Sequence, residues 1–216
     1  SSSADGAVAL GKESNATGGT AVALGQKSSA TGGDSAAIGW GSNASAQKAM
    51  AFGNSSKASA DYSIAFGYNT QATGSSAVAI GNSSKATGGS AVALGEAANA
   101  NQARAVAIGK GATISSGQDT IAIGTDTNAK GHTSIVIGKN AKTTNDAEGT
   151  VVIGRDAFSE GSGNGGRPNT VVGRGAYTAF GENGTYRLNA ATAFGFQAGA
   201  GLRTDPSNGN KLVNNE

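Results

Sequence analysis

Glycine returns at a fixed interval of 14 residues, at Gly11, Gly25, Gly39, Gly53, Gly67, Gly81, Gly95 and Gly109. Gly124, Gly138 and Gly154 continue the series, and Gly173 and Gly195 follow after longer excursions. Each of these glycines closes a short apolar run, as in Ala77-Val78-Ala79-Ile80-Gly81 and Thr150-Val151-Val152-Ile153-Gly154. Such a period belongs to solenoids, whose repeats bury their apolar faces only by stacking on one another. Composition agrees. With 36 glycines, 5% aromatic residues and an apolar set dominated by alanine, the chain lacks the large side chains that fill a globular core of this length. Disorder is equally unsuited, because apolar residues recur in register rather than thinning into a linker.

Positions are counted from the marker glycine as zero. Position −1 is large and apolar (Leu10, Leu24, Ile38, Phe52, Phe66, Ile80, Leu94, Ile108), and so is most of −3 (Val8, Val22, Met50, Ile64, Val78, Val92, Val106). Positions −4 and −2 are small, as in Ala21 and Ala23 or Ala91 and Ala93. Residues two apart share one face of a strand, so this segment predicts a strand with one bulky and one small face. A second strand follows. Ser, Thr or Ala stands at +3 and Ala at +5, separated by a polar residue at +4 (Asn15, Ser29, Asn43, Lys57, Gln71, Lys85, Asn99). That alternation predicts a half-buried strand. Two strands and two turns make one coil of a roll, and successive coils pair in parallel at about 4.8 Å. The bulky row is expected to fill the lumen, with Val78, Ile80, Val92, Leu94, Val106 and Ile108 as roll core.

The first strand is apolar on both faces, which marks a strand covered on both sides. With the bulky face assigned inward, the alanine face (Ala9, Ala23, Ala79, Ala93 and Ala107) is left as a long stripe that copies of the same chain must cover. A closed cyclic oligomer of three satisfies this.

Ala77-Val78-Ala79-Ile80-Gly81-Asn82-Ser83-Ser84-Lys85-Ala86 and its variants resemble the repeat of the YadA-like head of trimeric autotransporter adhesins, closely over 1–154 and loosely over 155–201. The resemblance implies an all-β, left-handed parallel β-roll assembled as an obligate homotrimer. It also implies display outside a Gram-negative outer membrane, at the cell surface. Heads of that family bind host matrix proteins such as collagen, fibronectin or laminin, or host receptors. Their stalk and membrane anchor have no counterpart in this sequence, so membrane attachment is expected only through an anchor outside it. The division expected is a regular roll over 1–154, irregular repeats with inserted loops over 155–201, and a non-repeat tail over 202–216.

Candidate contact residues lie on the outward positions. Lys57, Lys85 and Lys142 stand at +4, and Lys12, Lys110, Lys139, Arg155 and Arg174 at +1. Singly, each serves solubility; collectively, in three copies, they offer many weak contacts to an extended partner. Two inserts break the register. One runs from Arg155 to Asn169 and includes Arg167; the other runs from Phe180 to Asn189 and carries Tyr186 and Arg187. They serve recognition or staple the assembly, two alternatives of equal standing. Trp40 and Tyr68 add aromatic groups at +1.

Other classes fit poorly. Basic residues are scattered and the net charge is +2, against nucleic-acid binding. His132 stands alone and cysteine is absent, so no metal site or cofactor is expected. The glycine-rich turns lack the Lys-Ser/Thr of a phosphate cradle. Turn aspartates are too sparse for a calcium-binding roll. Acyltransferase solenoids repeat at about 18 residues and use a histidine, and an ice-binding face needs a uniform threonine ladder where +4 is mixed. The chain is therefore read as a non-enzymatic binding head. The alternatives are a segment of a phage or bacteriocin-type trimeric fibre, or a spacer head without its own ligand.

Overall fold

The computed structural model describes residues 1–144, 147–160, 168–178, 191–200, 203–204 and 212–213. These form strands and turns, in two compact units, Ser1–Ala112 and Thr113–Glu216. In the first unit every repeat contributes one three-residue and one two-residue strand. The three-residue strands run from Val8–Leu10 and Val22–Leu24 through to Val92–Leu94 and Val106–Ile108. They pair in parallel at a register of one repeat, with Val78 opposite Ile64 and Val92, and Ile80 opposite Phe66 and Leu94. The two-residue strands, Asn15–Ala16 to Asn99–Ala100, form a second parallel sheet in the same way, with Lys85 opposite Gln71 and Asn99. The second unit repeats the plan from Thr113–Ile114 to Gly199–Ala200, and adds an antiparallel pair, Arg203–Thr204 with Leu212–Val213. Both units are thus parallel β-rolls.

The coil has a finer period than the sequence suggests. From Gly6 to Gly111 a residue with φ between +50° and +70° recurs every seven positions, so each 14-residue coil is two backbone half-coils. Most of these left-handed residues are not glycine: Glu13, Thr20, Lys27, Asp34, Lys48, Ser55, Tyr62 and Asn69 are successive examples. L-residues pay about 1–2 kcal/mol there. From Thr20 onward the N–H of each of these is paired with a carbonyl of the preceding coil, as in Lys27 to Lys12 (2.9 Å) and Asp34 to Gly19 (2.9 Å), which offsets that strain. Side-chain hydroxyls follow the same half-coil rule. Ser28 donates to the carbonyl of Gly25 and Ser35 to that of Gly32, three residues back in both cases. The longer branched Thr70, Thr120 and Thr127 donate eleven residues forward, to Gly81, Gly131 and Gly138. These bonds satisfy hydroxyls and turn carbonyls that the roll removes from water.

The orientation of the first strand is the reverse of the sequence-based expectation. Ala23, Ala79, Ala93 and Ala107 have no exposed surface in the single roll, and Ala9 in the outermost coil is half-buried. They line the lumen together with the +3 and +5 residues such as Ser84 and Ala86. The residues expected there point outward instead: Val78, Val92, Val106 and Ile108 are half-buried, and Ile80 and Leu94 keep 37% and 42% of their surface. The reason is space. A half-coil of seven residues, two or three of them spent in the turn, brings the two sheets close together, and across the first unit the space between them holds Ala and Ser, with Thr70 as a larger member. In the second unit the lumen takes larger side chains, with Ile114, Val136, Val152 and Val171 buried. The five alanines therefore cannot form a surface between chains, and the bulky row is not the roll core. The +3/+5 inward and +4 outward assignments of the second strand are as expected.

Candidate functional site

Three surfaces of the roll are available to a partner. The first is the outward face of the three-residue strands. Because the register is one repeat per strand, its side chains stand in two columns. Within the first unit one column runs Val8, Val22, Ala36, Met50, Ile64, Val78, Val92, Val106, and the other Leu10, Leu24, Ile38, Phe52, Phe66, Ile80, Leu94, Ile108. Phe52 and Phe66 stack in a tilted pair with centroids 6.1 Å apart. Every member is half-buried or exposed. The second unit continues the pattern with Ile121, Ile135 and Val151 beside Ile123, Ile137 and Ile153, then turns more polar at Thr170 and Thr192. A contiguous apolar face of this kind is uncommon on a protein that stays alone in water.

The second surface is the outward face of the two-residue strands. Lys57, Lys85 and Lys142 are exposed on it as expected, among half-buried Asn15, Ser29, Asn43, Gln71 and Asn99. Two residues further along each coil lies a column of hydroxyls that sequence reasoning did not single out: Thr17, Thr31, Ser45 and Thr87 are exposed, and Ser59 and Thr73 are half-buried. The signal was present in the repeat but was absorbed into the turn. The Oδ1 atoms of Asn43 and Asn128 are shielded and unpartnered. In the second unit Phe158 and Tyr177 replace the polar residues of this face, in register with Lys142.

The two turn edges form the third surface. On the edge that follows the three-residue strands, Trp40 and Tyr68 are 49% and 58% exposed. On the opposite edge the ammonium of Lys48 lies 5.4 Å from the ring centroid of Tyr62. Thr20 donates to Asp34 and the N–H of Gln47 donates to Asp61. In the second unit Arg174 sits over Phe196 at 5.6 Å. The side-chain amide of Asn140 donates to Asp156 at 3.0 Å, and Arg155 adds its own bond and charge, so the Asp156 carboxyl is held below the ordinary carboxylate range. The Nδ1 of His132 accepts the N–H of Gln118 at 3.2 Å. Among the described residues no three His, Cys, Asp or Glu side chains converge as a metal site, and no helix is long and apolar enough to cross a membrane.

Where the first insert rejoins the roll, Asn169 fills the lumen. Its side-chain amide lies within hydrogen-bond distance of Ser159, Thr178 and the carbonyl of Glu160, and its Oδ1 accepts the N–H of Ala191 at 3.0 Å. Of the contact residues expected on the inserts, Arg167, Tyr186 and Arg187 lie outside the described residues, as does the whole Phe180–Asn189 segment.

A family model described as the YadA head domain repeat matches residues 2–28, 16–42, 44–70, 72–95, 86–112 and 115–145, more than half of the chain. No curated protein matches it.

Proposed function

Because the chain belongs to the YadA head family of adhesin-type trimeric autotransporter heads, we propose that it is the homotrimeric binding head of a cell-surface adhesin, displayed beyond a Gram-negative outer membrane. The observation that carries this reading is the double column of Val, Ile, Leu and Phe left half-exposed on one sheet while the lumen is already filled by alanine and serine. Three copies bringing these columns to a common axis remove them from water. The trimer interface is then formed by Val78, Ile80, Val92, Leu94, Val106, Ile108 and their equivalents, in place of the alanines.

With that face covered, the polar face carrying Lys57, Lys85 and Lys142 is turned to the environment in three copies. Weak contacts repeated along each roll and multiplied by three suit an extended host partner, a matrix protein such as collagen, fibronectin or laminin or a cell-surface receptor. Chemistry on that partner is not required: the surface offers amides, hydroxyls and ammonium groups for contact.

Sedimentation of the purified chain at micromolar concentration tests the assembly, with a trimer expected; a stable monomer removes the reading. Binding to immobilised collagen, fibronectin and laminin tests the rest. The combined Lys57→Glu, Lys85→Glu, Lys142→Glu variant is expected to lose binding while remaining trimeric, and unchanged binding would place recognition elsewhere.

A further inference from the structure

The apolar columns are flanked by two turn edges, and their charges carry information about how copies of the chain meet. Each coil presents one edge before its three-residue strand (positions −6 and −5) and one edge after it (positions +1 and +2). Lys27 lies on the following edge and Asp34 on the preceding edge of the next coil. The two are separated by a whole two-residue-strand segment, roughly 20 Å of extended chain, so they do not meet within one roll. Lys139 and Glu148 stand in the same relation in the second unit, and Glu96 and Arg104 repeat it in the first with the signs exchanged. Neither Lys27 nor Lys139 has an ion-pair partner in its own chain among the described residues.

In a cyclic assembly of parallel rolls, the following edge of one protomer faces the preceding edge of its neighbour. A coil climbs about 4.8 Å per turn, so a following edge lies half a rise above the preceding edge of its own coil number and half a rise below that of the next. Height alone allows both registers. Charge separates them. The equal-number register mixes signs: it sets Lys110 against Arg104 and Asp126 against Asp119, while Asp5 meets both Lys12 and Glu13 and Glu148 meets both Arg155 and Asp156. The register offset by one coil sets Lys27 against Asp34, Glu96 against Arg104 and Lys139 against Glu148. Within each unit it opposes no like charges among the described residues. Like charges face to face across an interface oppose association, and complementary ones select partner and register.

We propose that the protomers meet with the following edge of each coil against the preceding edge of the neighbour's next coil, and that Lys27–Asp34 and Lys139–Glu148 are ion pairs between chains that set this register. The proposal rests on the trimeric reading and adds the register and the pairs to it. It also accounts for why Lys27 and Asp34 carry charge although their backbone is left-handed and would fold more easily as glycine.

The chain has no cysteine, so crosslinking is free of background. The Lys27→Cys, Asp34→Cys double variant is expected to yield covalent trimer on oxidation, seen on a non-reducing gel. The Lys27→Cys, Thr20→Cys variant, which joins equal coil numbers, is expected to stay unlinked. All of these sites already hold non-glycine residues at φ between 55° and 58°, so the substitutions place no new kind of demand on the backbone. Independently, Lys27→Glu is expected to weaken assembly about tenfold at low salt, with recovery in Lys27→Glu, Asp34→Lys. Crosslinking through Thr20 instead, or through both equally, overturns the register. A trimer in sedimentation that links through neither pair, or a reversal without recovery, overturns the proposal and leaves the trimeric reading standing. A chain that sediments as a monomer overturns both.

Discussion

Exchanging one outward and one inward side chain on a single strand separates the two roles of that strand. Ile80 points out of the roll with 37% of its surface exposed, and its neighbour Ala79 points in with none. Complete burial of an isoleucine is worth about 1.5–3 kcal/mol. Covering the remaining third therefore contributes about 0.5–1 kcal/mol per copy, or roughly 1.5–3 kcal/mol over the three copies that meet at an axis. Ile80→Ala is expected to weaken trimerisation ten- to a hundredfold. The fold of each roll changes little, because the backbone ladder and the lumen are untouched. Ala79→Val does the opposite. It forces two methyl groups into a lumen lined on the facing strands by Ser84, Ala86 and their equivalents, an overpacking cost of about 1–3 kcal/mol. Sedimentation equilibrium reads the first effect, and a chemical denaturation midpoint at fixed protein concentration the second. Unchanged association in Ile80→Ala, or an unperturbed midpoint in Ala79→Val, would refute the assignment of these two faces.

Further outcomes follow from the turns and the lumen. A Cβ on Gly25 would sit 2.6 Å from the carbonyl oxygen of Gly39 at φ +131°, whereas one on Gly19 meets nothing within 4 Å; Gly25→Ala is expected to abolish cooperative unfolding, and Gly19→Ala to leave the melting temperature unchanged or slightly raised. Ala97, exposed at φ 55°, reverses the usual rule: Ala97→Gly is expected to stabilise by about 0.5–1 kcal/mol, since relief of left-handed strain exceeds the added chain entropy. Asn169→Ala leaves the partly buried Ala191 N–H without its acceptor, while Ser159 and Thr178 keep the bond between their hydroxyls, and is expected to cost about 1–3 kcal/mol in thermal or denaturant unfolding. Because the Asp156 carboxyl is held below its ordinary range by Asn140 first and then Arg155, its contribution is present above the unfolded pKa and is lost as pH falls through the folded one. In an NMR titration, Asn140→Ala is expected to move the Asp156 midpoint upward.

Much of the fold was legible in the sequence because a solenoid writes its geometry once per turn. The spacing of Gly11, Gly25 and their successors established the coil, and the Ser-polar-Ala alternation correctly placed Ser84 and Ala86 inside and Lys85 outside. Alternation cannot say which of two apolar faces turns inward. At Val78-Ala79-Ile80 the bulky residues looked like core by size alone, and only the separation of the sheets excludes them. The lysines proposed for contact were legible as outward positions but not as a site, because a repeated polar surface has no single point where chemistry converges.

The sequence by itself determined that this chain is a stack of 14-residue coils with one polar face, since period and alternation are local properties that survive without coordinates. The tertiary structure decided the rest. It halved the coil to seven residues through left-handed positions at Lys27 and Asp34 that no propensity marks. It closed the lumen to anything much larger than alanine across the first unit, and so turned Val78, Ile80, Val92 and Leu94 outward. The physical reason is the same in both cases: a short half-coil brings the two sheets close, and which of two apolar faces turns into that narrow space is decided by packing between the sheets, not by alternation.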